Sequence, residues 1–199
     1  MINGIDVAAY TPPHLPCIKA AGYTFIARYL AGWTHIAGKL LTLFEAQAIA
    51  AAGLQIVAVW EQGSPTTAGY FTLAQGQADG KAAVDVSLVV GQPDPAPIYV
   101  AVDCDLGPQA IASGVIPYFQ GLSEYLDVST LGVYGSGLVC SSLLDKGLVS
   151  RTWLAESRGW AGSAGFDKWQ IKQTKETLIC GLTVDLDEAQ GDFGSWQPL

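Results

Sequence analysis

The feature of this chain that most narrows its fold is that its apolar, strand-like runs end in acids. Residues 2–7 (INGIDV) carry Asp6, residues 54–61 (LQIVAVWE) close on Glu61, residues 97–105 (PIYVAVDCD) close on Asp103 and Asp105, and residues 182–188 (LTVDLDE) carry Asp185 and Asp187. A carboxylate at the end of a buried strand loses hydration, so it needs a partner or a task. Four such ends spread along the chain point to one shared, acid-lined mouth. That is the layout of a barrel with its active site at the C-terminal ends of its strands.

The order of elements supports this reading. Strand-like runs fall at residues 2–8, 23–30, 54–62, 98–105, 130–134, 151–157, 168–173 and 183–187, with helix-like runs at 16–21, 42–52, 67–90, 108–126 and 137–146. Gly53 and Gly147 stand where helices should stop, and Pro108 where one should start. After the sixth strand the links shrink: GWAGSAGFD is barely a helix, and TKETLICG reads as a hairpin-like link. The expectation is one α/β domain over residues 1–199, a compact (β/α)8 TIM-like barrel with degenerate last helices. An open doubly wound sheet is the alternative topology. Half of the residues are hydrophobic and 14% are charged, enough for one large core.

The net charge of −8, with no Lys/Arg cluster, excludes a nucleic-acid footprint and an electrostatic hold on an acidic membrane. No apolar stretch reaches spanning length, and MINGIDVAAY lacks the basic and apolar regions of a signal peptide, so a soluble monomer is expected. Cys17, Cys104, Cys140 and Cys180 form no CxxC pair or Cys/His cluster, which argues against zinc. Scattered in this way, they are expected to be four free thiols.

Alternation along the strands assigns the mouth. Tyr99, Ala101, Asp103 and Asp105 share the inward face, while Val100, Val102 and Cys104 point out under the helices. Gly4 and Asp6 face inward by the same parity. Arg28, at the end of FIARYL, is placed at the mouth as a cation that lowers neighbouring carboxyl pKa values. Trp60 and Glu61 end strand three, Tyr134 closes LGVYG, Trp169 and Gln170 sit on strand seven, and Asp185 and Asp187 share a face on strand eight. Several carboxylates around one mouth push at least one pKa up and make a general acid available. Glycoside hydrolysis needs this combination of a protonated and an ionised acid. Trp33, Trp60, Tyr134, Trp153 and Trp169 offer flat faces for sugar rings.

Five motifs in order, GIDVAAY, YVAVDCD, LGVYGSG, DKWQIKQ and TVDLDEA, resemble the glycoside-hydrolase-like barrel domains related to the family-25 lysozymes. The resemblance spans nearly the whole chain. It implies a peptidoglycan hydrolase that needs no cofactor or metal. The lysozymes' site positions match Asp6, Asp103 with Asp105, and Asp185 or Asp187. Where they carry a general-acid Glu this chain has Asp105, one methylene shorter, and Glu61 fits the glycoside-hydrolase-like relatives and offers an acid from strand three. The expected catalytic set is therefore Asp6, Glu61, Asp103, Asp105 and Asp187, with Asp105 or Glu61 as acid and Asp103 as partner. Arg28, Trp60, Tyr134, Trp153, Gln170 and Asp185 are expected to contact the glycan. The rival readings are a non-catalytic glycan-binding barrel and a structural or effector component of a phage or secretion particle.

Structural roles compete at each position. Asp105 fits an N-cap ahead of Leu106-Gly107-Pro108. Asp6 fits an ion pair with Arg28. Glu61, and one of Asp185 and Asp187, fit solvated sites, and each tryptophan fits a core. His14 and His35 have no partner pattern, and Ser136 lies in no GxSxG elbow.

Overall fold

The computed structural model describes residues 1–31, 36–63 and 65–198. Trp33 and His35 lie outside these residues. Eight strands close into a barrel in sequence order: β1 (Ile2–Asp6), β2 (Phe25–Ala31), β3 (Gln55–Trp60), β4 (Ile98–Ala101), β5 (Leu131–Gly135), β6 (Arg151–Leu154), β7 (Ile171–Ile179) and β8 (Leu182–Ala189). The first seven run parallel, and β8 is antiparallel to both β7 and β1. The fold is the expected TIM-like barrel with its last strand reversed. Reversal follows from the link between the last two strands. Cys180 and Gly181 both have positive φ, 53° and 84°, which makes a tight hairpin turn. A parallel crossover would need a dozen residues or more.

Helices cover the outside of the first six strands. α1 (Leu15–Ala20), α2 (Leu43–Ala51) and α3 (Leu73–Val89) follow β1, β2 and β3. The segment after β4 opens as α4 (Pro108–Ala110), passes through a π-helical turn (Ile111–Val115) and ends as α5 (Ile116–Leu122); α6 (Gly137–Asp145) follows β5. Thr42, Thr72 and Ser136 cap α2, α3 and α6 by accepting the N–H of Glu45, Gln75 and Val139. Between β6 and β7 only the 3₁₀ turn Ser163–Gly165 remains, so the last quarter is degenerate, as the short links imply.

The parity rule decides which residues meet helices and which meet the barrel axis. Ile98, Val100 and Val102 join the outer core, whereas Tyr99 joins an inner cluster with Phe25, Ala27, Val57, Val59, Trp153 and Ile171. Tyr99 donates its hydroxyl to the Phe193 carbonyl at 2.9 Å, closing the floor. Gly4 faces this floor, and a Cβ there would lie 2.2 Å from the Phe25 ring. Large rings below and small residues between them leave polar side chains for the upper layer.

The expectation of four free thiols is overturned. Cys17 and Cys180 form a disulfide with Cα atoms 5.9 Å apart, across 163 residues. Barrel closure brings the β7–β8 turn beside α1, so separation along the chain is not separation in space. Only Cys104 and Cys140 are free.

Candidate active site

The polar layer sits above Trp153, in a cleft of about 260 Å³ at the barrel mouth. Asp6, at the end of β1, accepts the Tyr29 hydroxyl at 3.1 Å and the Gln173 side-chain amide at 2.9 Å. The Gln173 carbonyl in turn accepts from the Tyr134 hydroxyl (2.9 Å) and the Glu156 backbone N–H (3.2 Å), which fixes its amide with the NH₂ toward Asp6. Tyr134 packs edge-on against Trp153, 5.4 Å between ring centres. Glu61, Asp103 and Asp185 line the same cleft, with Glu156 and Trp160 at its rim. Lys39, from the loop after β2, pairs with Glu61 and lies over the Tyr29 ring.

The reversed β8 sets the spacing of the acids. Asp185 stands directly opposite Asp6 in the β1–β8 ladder, and Asp187 stands opposite Gly4 one layer down. Directly opposed residues on antiparallel strands hold their Cβ atoms about 4.5–5.5 Å apart. Two inward carboxylates at that spacing cannot both ionise freely. Burial, followed by the charge of Asp185, pushes Asp6 up to about 7, against the two hydrogen bonds that favour its anion. Burial and then Glu176 push Asp185 up to about 6. Asp187 is 2% exposed, and neither of its oxygens completes a hydrogen bond. Burial and the charge of Asp6 hold it well above the usual carboxylate range, and the Trp153 indole beside it offsets only part of this. Asp103 is raised by burial and by Glu61, and Lys39 pulls it back. The mouth therefore combines acids that keep protons near neutral pH with a Lys39-bound anion.

The model of one family, the Rv2525c-like, glycoside hydrolase-like domain, matches residues 16–189. The chain belongs to that family. Its relatives include the Bacillus subtilis protein FadG, 27% identical over 96% of this chain but only 34% of FadG. The chain thus spans about a third of that relative, and 24% of a second one, YbfG from the same organism, at 30% identity over 81% of this chain. Rv2525c of Mycobacterium tuberculosis, named as a candidate peptidoglycan hydrolase, is 25% identical over 90% of this chain and 78% of its own length. Among solved structures, a crystal structure of the Tat-secreted protein Rv2525c superposes with a TM-score of 0.87 at 23% identity, covering 98% of both chains. The Acremonium alcalophilum muramidase superposes at 0.62 with 13% identity over 96% of this chain and 95% of its own. These superpositions carry the fold.

In this Rv2525c-like domain the expected residues divide. Asp6, Glu61, Asp103, Tyr134, Trp153 and Asp185 line one cleft, and Asp187 lies beneath it. Five others lie elsewhere. Arg28 is fully buried on the outward face of β2, bound to both oxygens of Glu45 on α2 and to the Val7 and Gly38 carbonyls. It tunes nothing in the mouth, and Asp6 does not pair with it. Trp60 shares that outward parity on β3 and packs in the helix-facing core. Gln170, just before β7, accepts the Thr152 N–H at 2.8 Å and so holds strand to strand. Asp105 is exposed past the end of β4, and instead of capping a helix it accepts the Ala161 N–H at 2.8 Å. It thereby fixes the loop that presents Trp160. Trp169 lies under the Lys172 ammonium, 5.7 Å from the ring centre, away from the cleft. The cleft residues not foreseen are Tyr29, Glu156, Trp160 and Gln173, together with Lys39, which pairs with the cleft's Glu61.

Proposed function

We propose that this domain is a glycosidase acting on the glycan strands of peptidoglycan, with the Asp6–Asp185 pair supplying the proton. The observation that carries this reading is the β1–β8 register, which sets two acids opposite each other at the mouth of a cleft. Asp185 is the half-buried member and no described residue hydrogen-bonds its carboxyl, so it is free to approach a glycosidic oxygen. Asp6, fixed by Tyr29 and Gln173, sits opposite it, and burial with the charges of Glu176, Glu156 and Asp103 raises the proton affinity of Asp185. As the bond breaks, positive charge grows on the sugar ring, and Asp103 with the Lys39-bound Glu61 faces that charge. Tyr134 and Trp160 line the cleft and offer ring faces to sugars, above the buried Trp153. Asp187 stays neutral below and supports the pair from beneath.

The family, and the peptidoglycan hydrolase candidate among its relatives, support the substrate class. The disulfide suits an oxidising compartment, in keeping with the Tat-secreted relative. Incubation with purified peptidoglycan, followed by mass spectrometry of the soluble products, tests the reading: new reducing-end muramic acid is expected. One observation favours a second reading, a glycan-binding barrel without turnover. Asp105, at the place of the lysozymes' acid, is committed to the Ala161 N–H. Binding to peptidoglycan without released fragments between pH 4 and 8 would select that reading.

A further inference from the structure

The missing helix between β6 and β7 has left a second cavity beside the acid cleft. It has a volume of about 600 Å³ and shares two walls with the cleft, Glu156 and Gln173. Lys172, between inward-facing Ile171 and Gln173, points outward on β7; in a regular barrel a helix would cover it. Here it lines the cavity together with Arg158 and Glu188. Arg158 is exposed, and among the described residues it makes no ion pair or hydrogen bond. The chain has ten Lys and Arg, of which four (Arg28, Lys39, Lys81 and Arg151) are in ion pairs. Four of the other six, Arg158, Lys168, Lys172 and Lys175, fall within eighteen residues of sequence, and two of these, Arg158 and Lys172, line the cavity. The cavity lining balances Arg158 and Lys172 against Glu156 and Glu188, whereas the charged groups lining the adjoining cleft are all acids.

The chemistry of the walls narrows the ligand. Two cations offer donors to carboxylates, and Glu156 and Glu188 offer acceptors to amide N–H groups or an ammonium. A ligand with both features is a short acidic peptide. Peptidoglycan carries such peptides as side arms on alternate sugars. We infer that the cavity takes the carboxylate-bearing peptide arm of the glycan chain lying in the acid cleft, with Arg158 and Lys172 holding its carboxylates. This rests on the glycan reading of the cleft and extends it to a second substrate feature. Glu156 and Gln173 form the wall over which the arm leaves the sugar.

The test compares two probes: soluble peptidoglycan fragments with their peptides, and the same glycan stripped by an amidase. Binding is measured by calorimetry, independently of turnover, with the Asp185→Asn variant so that the probes survive. The full chain should prefer the peptide-bearing probe, and Arg158→Ala/Lys172→Ala should reduce that preference about five- to tenfold, as expected for two partly exposed charges. Arg158→Lys/Lys172→Arg should restore it, and raising the salt should erode it. Both changes sit at exposed or half-exposed side chains, so folding is preserved. Equal affinity for the two probes, or a preference unchanged in the double variant, overturns the inference even if the wild type cleaves glycan. A preference that depends on Arg158 and Lys172 in a protein without turnover upholds it and removes only the hydrolase reading. Affinity for neither probe removes both.

Discussion

The helix layer and the barrel mouth bury carboxylates by opposite means. In the helix layer each acid is matched. Glu45 binds the Arg28 guanidinium through both oxygens and accepts the Thr11 hydroxyl and N–H besides. Asp79, 2% exposed on α3, accepts the hydroxyls of Tyr70 and Tyr118, each at 2.6 Å, and the Gln75 amide at 2.9 Å. At the mouth the acids face one another instead. Asp6 has two neutral donors, Asp187 has none, and Lys39 is held by Glu61. Matched acids hold elements together, whereas mismatched acids store protons and give up stability to do so. The contrast separates architecture from chemistry without reference to any relative.

The sharpest way to break this contrast is to remove one mouth acid and one matched acid and compare the losses. Asp185→Asn should lower turnover on peptidoglycan by about a hundred- to ten-thousand-fold, the usual contribution of a general acid. Its stability in urea should stay level or rise, because a like charge opposite Asp6 is gone. Turnover within a few fold of wild type would take Asp185 out of the mechanism. Arg28→Met should do the reverse. It leaves Glu45 buried and unmatched, at a cost of about 3–5 kcal/mol in urea unfolding. Arg28→Met/Glu45→Leu should recover much of that loss. A single-variant cost under about 1 kcal/mol would mean that water reaches the pair.

How far this division could be read from the sequence depends on parity. Alternation gave the right faces for Gly4, Asp6, Tyr99 and Val100, because those strands continue straight to their ends. Applied with the same strictness to β2 and β3, it puts Tyr29 and Glu61 in and Arg28 and Trp60 out, as observed. The eye is drawn instead to the cation and the indole. For Asp105 parity fails for a physical reason: the β4 ladder stops at Ala101, and past it the backbone turns toward the Ala161 loop. Gln173 was legible as the inward partner of Ile171, whereas Gln170 is on outward parity. Lys39, Glu156 and Trp160 arrive on loops, where no periodicity operates. The disulfide depends on barrel closure and on a reversed β8, neither of which local spacing encodes.

The two regions meet at Cys17–Cys180, which ties α1 to the turn of the hairpin that carries Asp185. Closing so long a loop should contribute about 2–4 kcal/mol. Mild reduction, or Cys17→Ser/Cys180→Ser, should lower the urea midpoint accordingly. A midpoint that does not move would show that packing alone fixes the hairpin and that the mouth geometry needs no covalent tie.

The smallest effect tests the mismatch itself. A carboxyl group whose folded pKa is raised stabilises the fold fully below its unfolded pKa, about 3.9 for Asp, and that stability is lost as pH rises through the folded value. Asp185 at about 6, Asp6 at about 7 and Asp187 above the ordinary range all work in this direction. Asp127 and Asp192 are held below the ordinary carboxylate range by their hydrogen bonds to Ser129 and Arg151, and lose their contribution only in stronger acid. Between pH 5 and pH 8 the mouth acids therefore set the slope among the shifted carboxyls, and the protein should become less stable as pH rises. Asp187→Asn replaces one member with a group that is neutral throughout. It should flatten the profile between pH 5 and 8, by an amount shared with the neighbouring acids. Urea unfolding at half-unit pH steps reads this directly. A wild type whose stability rises with pH across this window, or a variant whose slope equals the wild type's, would mean that water or counterions relieve the buried acids, and the contrast with the helix layer would fail.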